Sequence, residues 1–299
     1  MKRILVVGSS NTDMVIKTDR FPEPGETIIG GSFFMFAGGK GANQAVAAAR
    51  LGGSVQLLAS VGSDVFGANA IAGFEKDGID VSLIQKEKDH ASGVALITLN
   101  KEGENEIVVA PGANAQVSAD YILKNKEAIS SADIVLAQLE TPLSAILELN
   151  NQCKKLGTRF ILNPAPAQAL PDDLFKGLFL ITPNETEASI LTGLSTDSEN
   201  EVDAAANVLL EKGIENVIIT MGGEGAYFKN RENSFLLPAP KVEVQDTTGA
   251  GDVFNGALAV ALAEGRDWKD AIEFAIKAGS LAVTKMGAQS SAPTLEDMS

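Results

Sequence analysis

Short, unbroken apolar runs recur along the chain, each closing on glycine or on polar residues. They are "ILVVGSS" (Ile4 to Ser10), "VQLLASVG" from Val55, "DIVLAQLE" from Asp133, "RFILNPAP" from Arg159, "LFLITPNE" from Leu178 and "NVIITMGG" from Asn216. Continuous rather than alternating apolarity predicts strands covered on both faces, the condition of a parallel sheet. Between the runs lie Ala- or Leu-rich segments of helical length, such as "NQAVAAARLGG", "PLSAILELNNQCKKLG" and "EVDAAANVLLEKG". These end on glycine, a common helix C-terminus. Strand–helix–strand repeated in this way predicts an α/β fold, a doubly wound, mainly parallel sheet with helices on both faces.

Two segments break the rhythm. "GETIIGGSFFMFAGG" (Gly25 to Gly39) is rich in β-branched and aromatic residues, and "SGVALITLNKEGENEIVVAPG" (Ser92 to Gly112) holds two strand-like runs around a turn, a hairpin signal. Together, over about residues 12–38 and 91–111, they predict a small antiparallel β sheet standing off the main one. It reads as a lid over the strand C-termini, or as a flap or a contact with a second copy. An exposed apolar face is compatible with lid and contact alike. With 299 residues, the chain is expected to form a single domain, 1–299, carrying this appendage.

Composition narrows the chemistry. A formal charge of −15 disfavours nucleic acid and anionic membranes, which are bound through clustered Lys and Arg. The single cysteine, Cys153, allows no intrachain disulfide, and the single His90 makes a Ser-His-Asp triad or a His-rich metal site a poor fit. The N-terminal apolar run is too short for a signal peptide, and no window reaches the length of a membrane span, so a cytoplasmic protein is expected.

In doubly wound sheets ligands bind beyond the C-terminal ends of the strands. The polar residues there are Ser10, Asn11 and Asp13 after the first run, Glu140, Asn163, and Asn184 with Glu187. Amides and carboxylates of this kind suit sugar hydroxyls, although each alone is equally explained by a turn or a helix cap. "AGGKGANQA" (Ala37 to Ala45) opens a helix, but Gly41 follows Lys40 where a Walker loop needs Ser or Thr, and Gln44 stands where a dinucleotide fingerprint needs glycine. A tight turn and a loop that lets a ligand approach Lys40 and Asn43 both fit it. "DTTGAGD" (Asp246 to Asp252) precedes the apolar run "VFNGALAVALAEG". A sharp turn into a helix N-terminus offers free amides to a phosphate. Asp252, in the first turn, is explained by capping or by a general base that takes a proton from an attacking alcohol, a role worth about 10²–10⁴ in rate. Asp246 lies too far along to share that role and could hold a cation beside the turn. Trp268 and Cys153 read as packing.

These motifs resemble the PfkB family of sugar kinases. "GGKGANQAVAAARLGG" and "DTTGAGDVFNGAL" match its two signatures, and Asn184 and Glu187 in "NETE" match its Asn-x-x-Glu element. "NTDMV", "QLETP" and "VVAPGANA" resemble the ribokinase branch in particular. The resemblance spans nearly the whole chain. It implies ATP-dependent phosphorylation of D-ribose at the 5-hydroxyl, with Mg²⁺, activation by K⁺, and a homodimer paired through the lid sheet. It further implies that Asn11, Asp13, Gly39, Lys40, Asn43 and Glu140 bind the sugar. Asp252 would be the base, and Gly249, Ala250 and Gly251 the anion hole. Asn184 and Glu187 would organise magnesium and the nucleotide phosphates, and Thr220, Gly222, Gly225 and Gly251 would line the nucleotide side. Asp246, Thr248, Ala282, Lys285, Gly287 and Ser291 resemble a monovalent-cation site. Lys277 stands near the adenine, where many relatives carry histidine or asparagine. The alternatives are a fructokinase or adenosine kinase of the same family and a catalytically silent sugar sensor; a dinucleotide-dependent oxidoreductase lacks its glycine fingerprint.

Overall fold

The computed structural model describes residues 2–299. Its strands are β1 (Arg3–Val7), β2 (Asn11–Lys17), β3 (Ser32–Gly38), β4 (Ser54–Gly62), β5 (Ile84–Glu87), β6 (Gly93–Leu99), β7 (Asn105–Ala110), β8 (Ile134–Ala137), β9 (Arg159–Leu162), β10 (Leu180–Ile181), β11 (Asn216–Thr220), β12 (Ala226–Asn230) and β13 (Ser234–Leu237). Nine of them form one sheet in the order β13-β12-β11-β10-β9-β8-β1-β4-β5. Every pairing from β11 to β5 is parallel, and β12 and β13 add an antiparallel edge.

Alternation along β1 shows why its run is apolar throughout. Ile4 and Val6 point to one face, where the helices Lys40–Arg50, Ala250–Glu264 and Trp268–Ala282 pack. Leu5 and Val7 point to the other, against Leu143–Leu156 and Glu199–Glu211. All four side chains are at most 1% exposed. A strand sandwiched in this way has no solvent face on which to place polar residues.

The second sheet has the order β3-β2-β6-β7. Its outer pairs, β3–β2 and β6–β7, are antiparallel as expected from the hairpin signal, while the central pair, β2–β6, is parallel. β2 leaves the main sheet directly after β1, and β6 leaves it after β5, both from the C-terminal ends of parallel strands and so in the same direction. They can therefore pair only in parallel. The β-rich run from Gly25 pairs only from Ser32 onward; Ile29 is 99% exposed and meets no partner strand.

A candidate active site at the strand C-termini

Two helix N-termini meet beyond the C-terminal ends of β1, β8 and β9. The helix Lys40–Arg50 begins at Gly39, whose φ is 89°. A Cβ there would lie 2.7 Å from the Asn11 amide, so only glycine lets this turn press against the start of β2. The backbone amide of Lys40 donates to Glu140 Oε2 at 2.9 Å, and the Ser9 hydroxyl donates to the same oxygen. Asn114 accepts from the Ser10 amide at 2.9 Å and donates to Asn11 Oδ1 at 2.7 Å. Lys40 and Glu140 are thus tied together, and Asn11 is held by Asn114, at the base of the second sheet; Asp13 stands beside Gly38, and Asn43 turns to Asp252.

The helix Ala250–Glu264 begins at Gly249, with φ 77°. No side chain caps it, and among the described residues the Gly251 amide has no hydrogen-bond partner. The Ala250 amide leans on the Thr247 carbonyl at 3.3 Å. A Cβ on Gly251 would meet nothing within 4 Å, so this turn faces open space. It opens into a cleft of about 880 Å³, also lined by Lys40, Asn184, Glu187, Thr220, Gly222 and Gly225. Asn184 and Glu187 form a capping box: the Glu187 amide donates to Asn184 Oδ1 at 2.8 Å, and the Asn184 amide to Glu187 Oε2 at 2.9 Å. Thr220 ends β11 and bridges Asn184.

Asp252 sits between the two groups and is 6% exposed. Its Oδ2 accepts from Asn43 Nδ2 at 2.9 Å and its Oδ1 from Gln44 Nε2 at 3.0 Å. Burial pushes its carboxyl above the usual range; the Lys40 charge and the two amide donors work against that shift, and Glu140 adds to it. Glu187 is raised by burial too, opposed by the Asn184 amide and by Lys40. Asp13 is pushed up to about 6 by burial and by the neighbouring charges of Glu140 and Asp252. Four carboxylates, Asp13, Glu140, Glu187 and Asp252, stand around the crevice with Lys40 among them, an arrangement that suits a neutral polyhydroxyl compound beside an anion.

Behind the turn, Asp246 Oδ1 accepts from the Thr248 amide at 2.9 Å and Oδ2 from the Gly287 amide at 2.8 Å. Burial pushes this carboxyl up, yet the hydrogen bonds from Thr248 and Gly287 hold it below the usual carboxylate range. The loop Asp246–Thr248 and the segment from Ala282 to Ser291 are therefore fastened to each other. The side chains of Lys285 and Ser291 turn elsewhere, to Asp297 and to the Ala288 carbonyl.

Lys277 is the one predicted residue that stands apart. Its ammonium donates to the Met298 carbonyl and does not line the cleft, whose wall on this helix is Ile276, Gly279 and Ser280. One helical residue further on or back changes the face, so a position near the adenine in sequence need not reach it. Sequence reasoning also passed over Ser9, Gln44, Asn114, Gln138, Thr182 and Asn255, all buried and all hydrogen-bonded around the site. Their signal was a polar side chain embedded in an apolar run, as in "VLAQLE" and "VFNGALAV".

Comparison with known proteins agrees with this arrangement. The model of the pfkB family carbohydrate kinases matches residues 1–295. A ribokinase of Haemophilus influenzae is 43% identical over 296 residues, covering 99% of this chain and 97% of its own. The structure of Arabidopsis thaliana ribokinase complexed with ribose and ATP superposes with a TM-score of 0.93 at 31% identity, covering 99% of this chain and 96% of that one. A ribokinase structure from Thermotoga maritima gives a TM-score of 0.89 at 40% identity, covering 99% and 98%. Two signature loops, a buried aspartate between them and whole-chain similarity lead to one conclusion: the chain belongs to the pfkB family of carbohydrate kinases.

Proposed function

We propose that this protein is an ATP-dependent ribokinase that transfers the γ-phosphoryl group of ATP to the 5-hydroxyl of D-ribose. The observation that carries this reading is the buried Asp252 carboxylate, placed between the polar crevice at β2 and the open helix N-terminus that faces the cleft. Ribose lies against Asn11, Asp13, Gly39, Lys40, Asn43 and Glu140, with its primary hydroxyl on Asp252. ATP lies in the cleft, with its phosphates toward Gly249, Ala250 and Gly251 and its base toward Thr220, Gly222 and Gly225. Asp252 takes the hydroxyl proton as the oxygen attacks phosphorus. The amides at the helix N-terminus receive charge that develops on the transferred group, a contribution of about 2.7–4 kcal/mol per donor in comparable sites. Lys40 adds a cation at the same place. The second sheet acts as a lid that keeps water from competing with the sugar.

The residues present fit the two cations that such a reaction uses. Asn184 and Glu187 would organise Mg²⁺ through water and the nucleotide phosphates. No group of three or more His, Cys, Asp or Glu side chains converges among the described residues, and Mg²⁺ bound to a nucleotide keeps most of its ligands as water and phosphate. When bound, Mg²⁺ neutralises the phosphate oxygens as charge builds on them. Asp246 has no ion-pair partner among the described residues and is held in its charged form, which suits K⁺ shared with the carbonyls of the Ala282–Ser291 segment.

The second sheet supports a homodimer. Directly paired residues share a face, so Met35, Met14, Leu96 and Val108 form one row across it, with Phe33 and Ile16 beside them. Asp13 points to the opposite face. Leu96 is 54% exposed and Val108 68%, an apolar patch that a second copy would cover. Among the described residues no helix is long and apolar enough to cross a membrane; separately, dependence on ATP favours action in the cytoplasm.

A coupled ADP-release assay tests the reading, with D-ribose, 2-deoxyribose, D-fructose and adenosine as acceptors, in K⁺ and in tetramethylammonium. Ribose-selective, K⁺-stimulated turnover is expected. Selective turnover of fructose or adenosine would overturn the substrate, and equal rates in both cations would overturn the K⁺ site. Binding of ribose with no turnover of any acceptor would favour a silent sensor.

A further inference from the structure

Asp252 is held by more than the two signature loops. Gln44, wholly buried, donates through Nε2 both to Asp252 Oδ1 and to Asn163 Oδ1, each at 3.0 Å. Its own Oε1 accepts from Gln138 Nε2. Asn163 is fixed in turn, because its Nδ2 donates to the Thr182 carbonyl at 3.1 Å. That backbone carbonyl can only accept, so it sets the sense of Asn163 and, through Asn163 Oδ1, that of Gln44, whose Oε1 then takes the Gln138 amide; Gln138 Oε1 itself is buried with no hydrogen-bond partner among the described residues. A reversed Gln44 would turn its oxygen onto both the carboxylate and the Asn163 oxygen. The relay leaves no room for variation at its far end, since a Cβ on Gly8 would lie 2.3 Å from Gln138 Oε1.

We propose that the Gln138–Gln44 amide relay is a positioning device for the reaction, which keeps the Asp252 carboxylate ionised and orients it toward the sugar hydroxyl. The physical need is clear. A buried carboxylate with no direct ion-pair partner stays charged only if donors replace the water it has lost. The charged groups around it are mixed: Lys40 from its own helix favours the anion, while Glu140 after β8, Asp13 on β2 and Glu187 on the helix after β10 are like charges. Of the side chains among the described residues, only Asn43 and Gln44 donate to it directly. Asn43 is also assigned to the sugar in the reading above, whereas Gln44 donates only to buried groups, Asp252 and Asn163.

This inference rests on Asp252 acting as the base, and its test separates the two. The pH dependence of kcat/KM for ribose is measured for the wild type, Gln44→Met and Gln138→Met, with melting temperatures recorded for each. Met nearly preserves volume but donates nothing. Gln44→Met is expected to move the acid limb to higher pH, so that on the limb kcat/KM falls about tenfold further below wild type than it does on the alkaline plateau. Gln138→Met, which only frees Gln44 to turn, moves the limb in the same direction by less. KM for MgATP stays near the wild-type value in both. If Gln44→Met does not fold, Gln138→Met alone carries the test. An acid limb in the wild-type position for every folded variant, or a uniform loss across all pH values, would overturn the proposal. Retained turnover in Asp252→Asn would instead overturn the assignment of the base.

Discussion

Replacing Asp252 with Asn removes the proposed base while keeping the shape of the site. The side chain is 6% exposed and engaged by Asn43 and Gln44, so the new amide has nowhere else to turn. One of its ends can still accept. The other places an NH₂ group against an NH₂ donor, a lost hydrogen bond worth about 1–3 kcal/mol, offset in part by removal of a desolvated charge. The fold is therefore expected to survive with a modest change in melting temperature. In the proposed reading ribose would still meet Asn11, Asp13, Asn43 and Glu140, and its KM should change by less than about tenfold. The chemical step loses general-base assistance, about 10²–10⁴ in kcat, equivalent to about 3–5 kcal/mol of barrier. The assay is steady-state ADP release at saturating MgATP, with ribose varied at several pH values. In the wild type, activity should fall as pH drops through the raised pKa of Asp252, since protonation removes the base. The variant should show no such limb. A kcat within tenfold of wild type would refute the assignment.

Asp13 gives a second pH effect, in binding. Its carboxyl is pushed up to about 6, so KM for ribose should rise as pH falls through that value, and Asp13→Asn should flatten the dependence. The same shift acts on stability with a defined sign: the folded-state pKa lies above the ordinary aspartate value of 3.8, so its contribution is largest below that value and is lost as pH rises toward 6, which melting curves between pH 4 and 7 should register in the absence of sugar. Gly249→Ala should cost about 2 kcal/mol or more, a fall of several degrees in melting temperature, because the residue has φ 77° and its Cβ would lie 2.8 Å from Ala288. Leu96→Asp, placed in the apolar row of the second sheet, should convert a dimer to a monomer in sedimentation velocity; an unchanged sedimentation coefficient would remove the sheet from the interface.

The main sheet was legible because burial on both faces writes itself as unbroken apolar runs, as in Ile4 to Val7. β12 and the edge strand β13 were not, since "AYFKN" and "SFLL" each hold only a short apolar stretch, although β12 pairs on both sides. β10 was found from its apolar run at Leu178 but spans only two residues, fewer than that run suggests. The parallel pairing of β2 with β6 depends on where two distant segments leave the main sheet, which no local pattern encodes. Residues on the signature loops could be found because their backbone geometry demands glycine and their charges stand out. Gln44, Gln138 and Asn255 were hidden, for a buried amide looks like an interruption in a helix or strand until its partners, 94 positions away for Gln44 and Gln138 and 208 for Gln44 and Asp252, are brought beside it. Lys277 shows the converse: a position near a site in sequence can project from the other side of its helix.

The central claim is a transfer to one oxygen of one sugar, and the product tests it most directly. The protein is incubated with MgATP, K⁺ and D-ribose labelled with ¹³C at carbon 5, and the mixture is examined by ³¹P and ¹³C NMR. The account predicts a single sugar phosphate whose phosphorus couples to the labelled carbon, formed in step with ADP and absent with Asp252→Asn over the same time. Phosphate on another carbon, or ADP accompanied only by free phosphate, would contradict it.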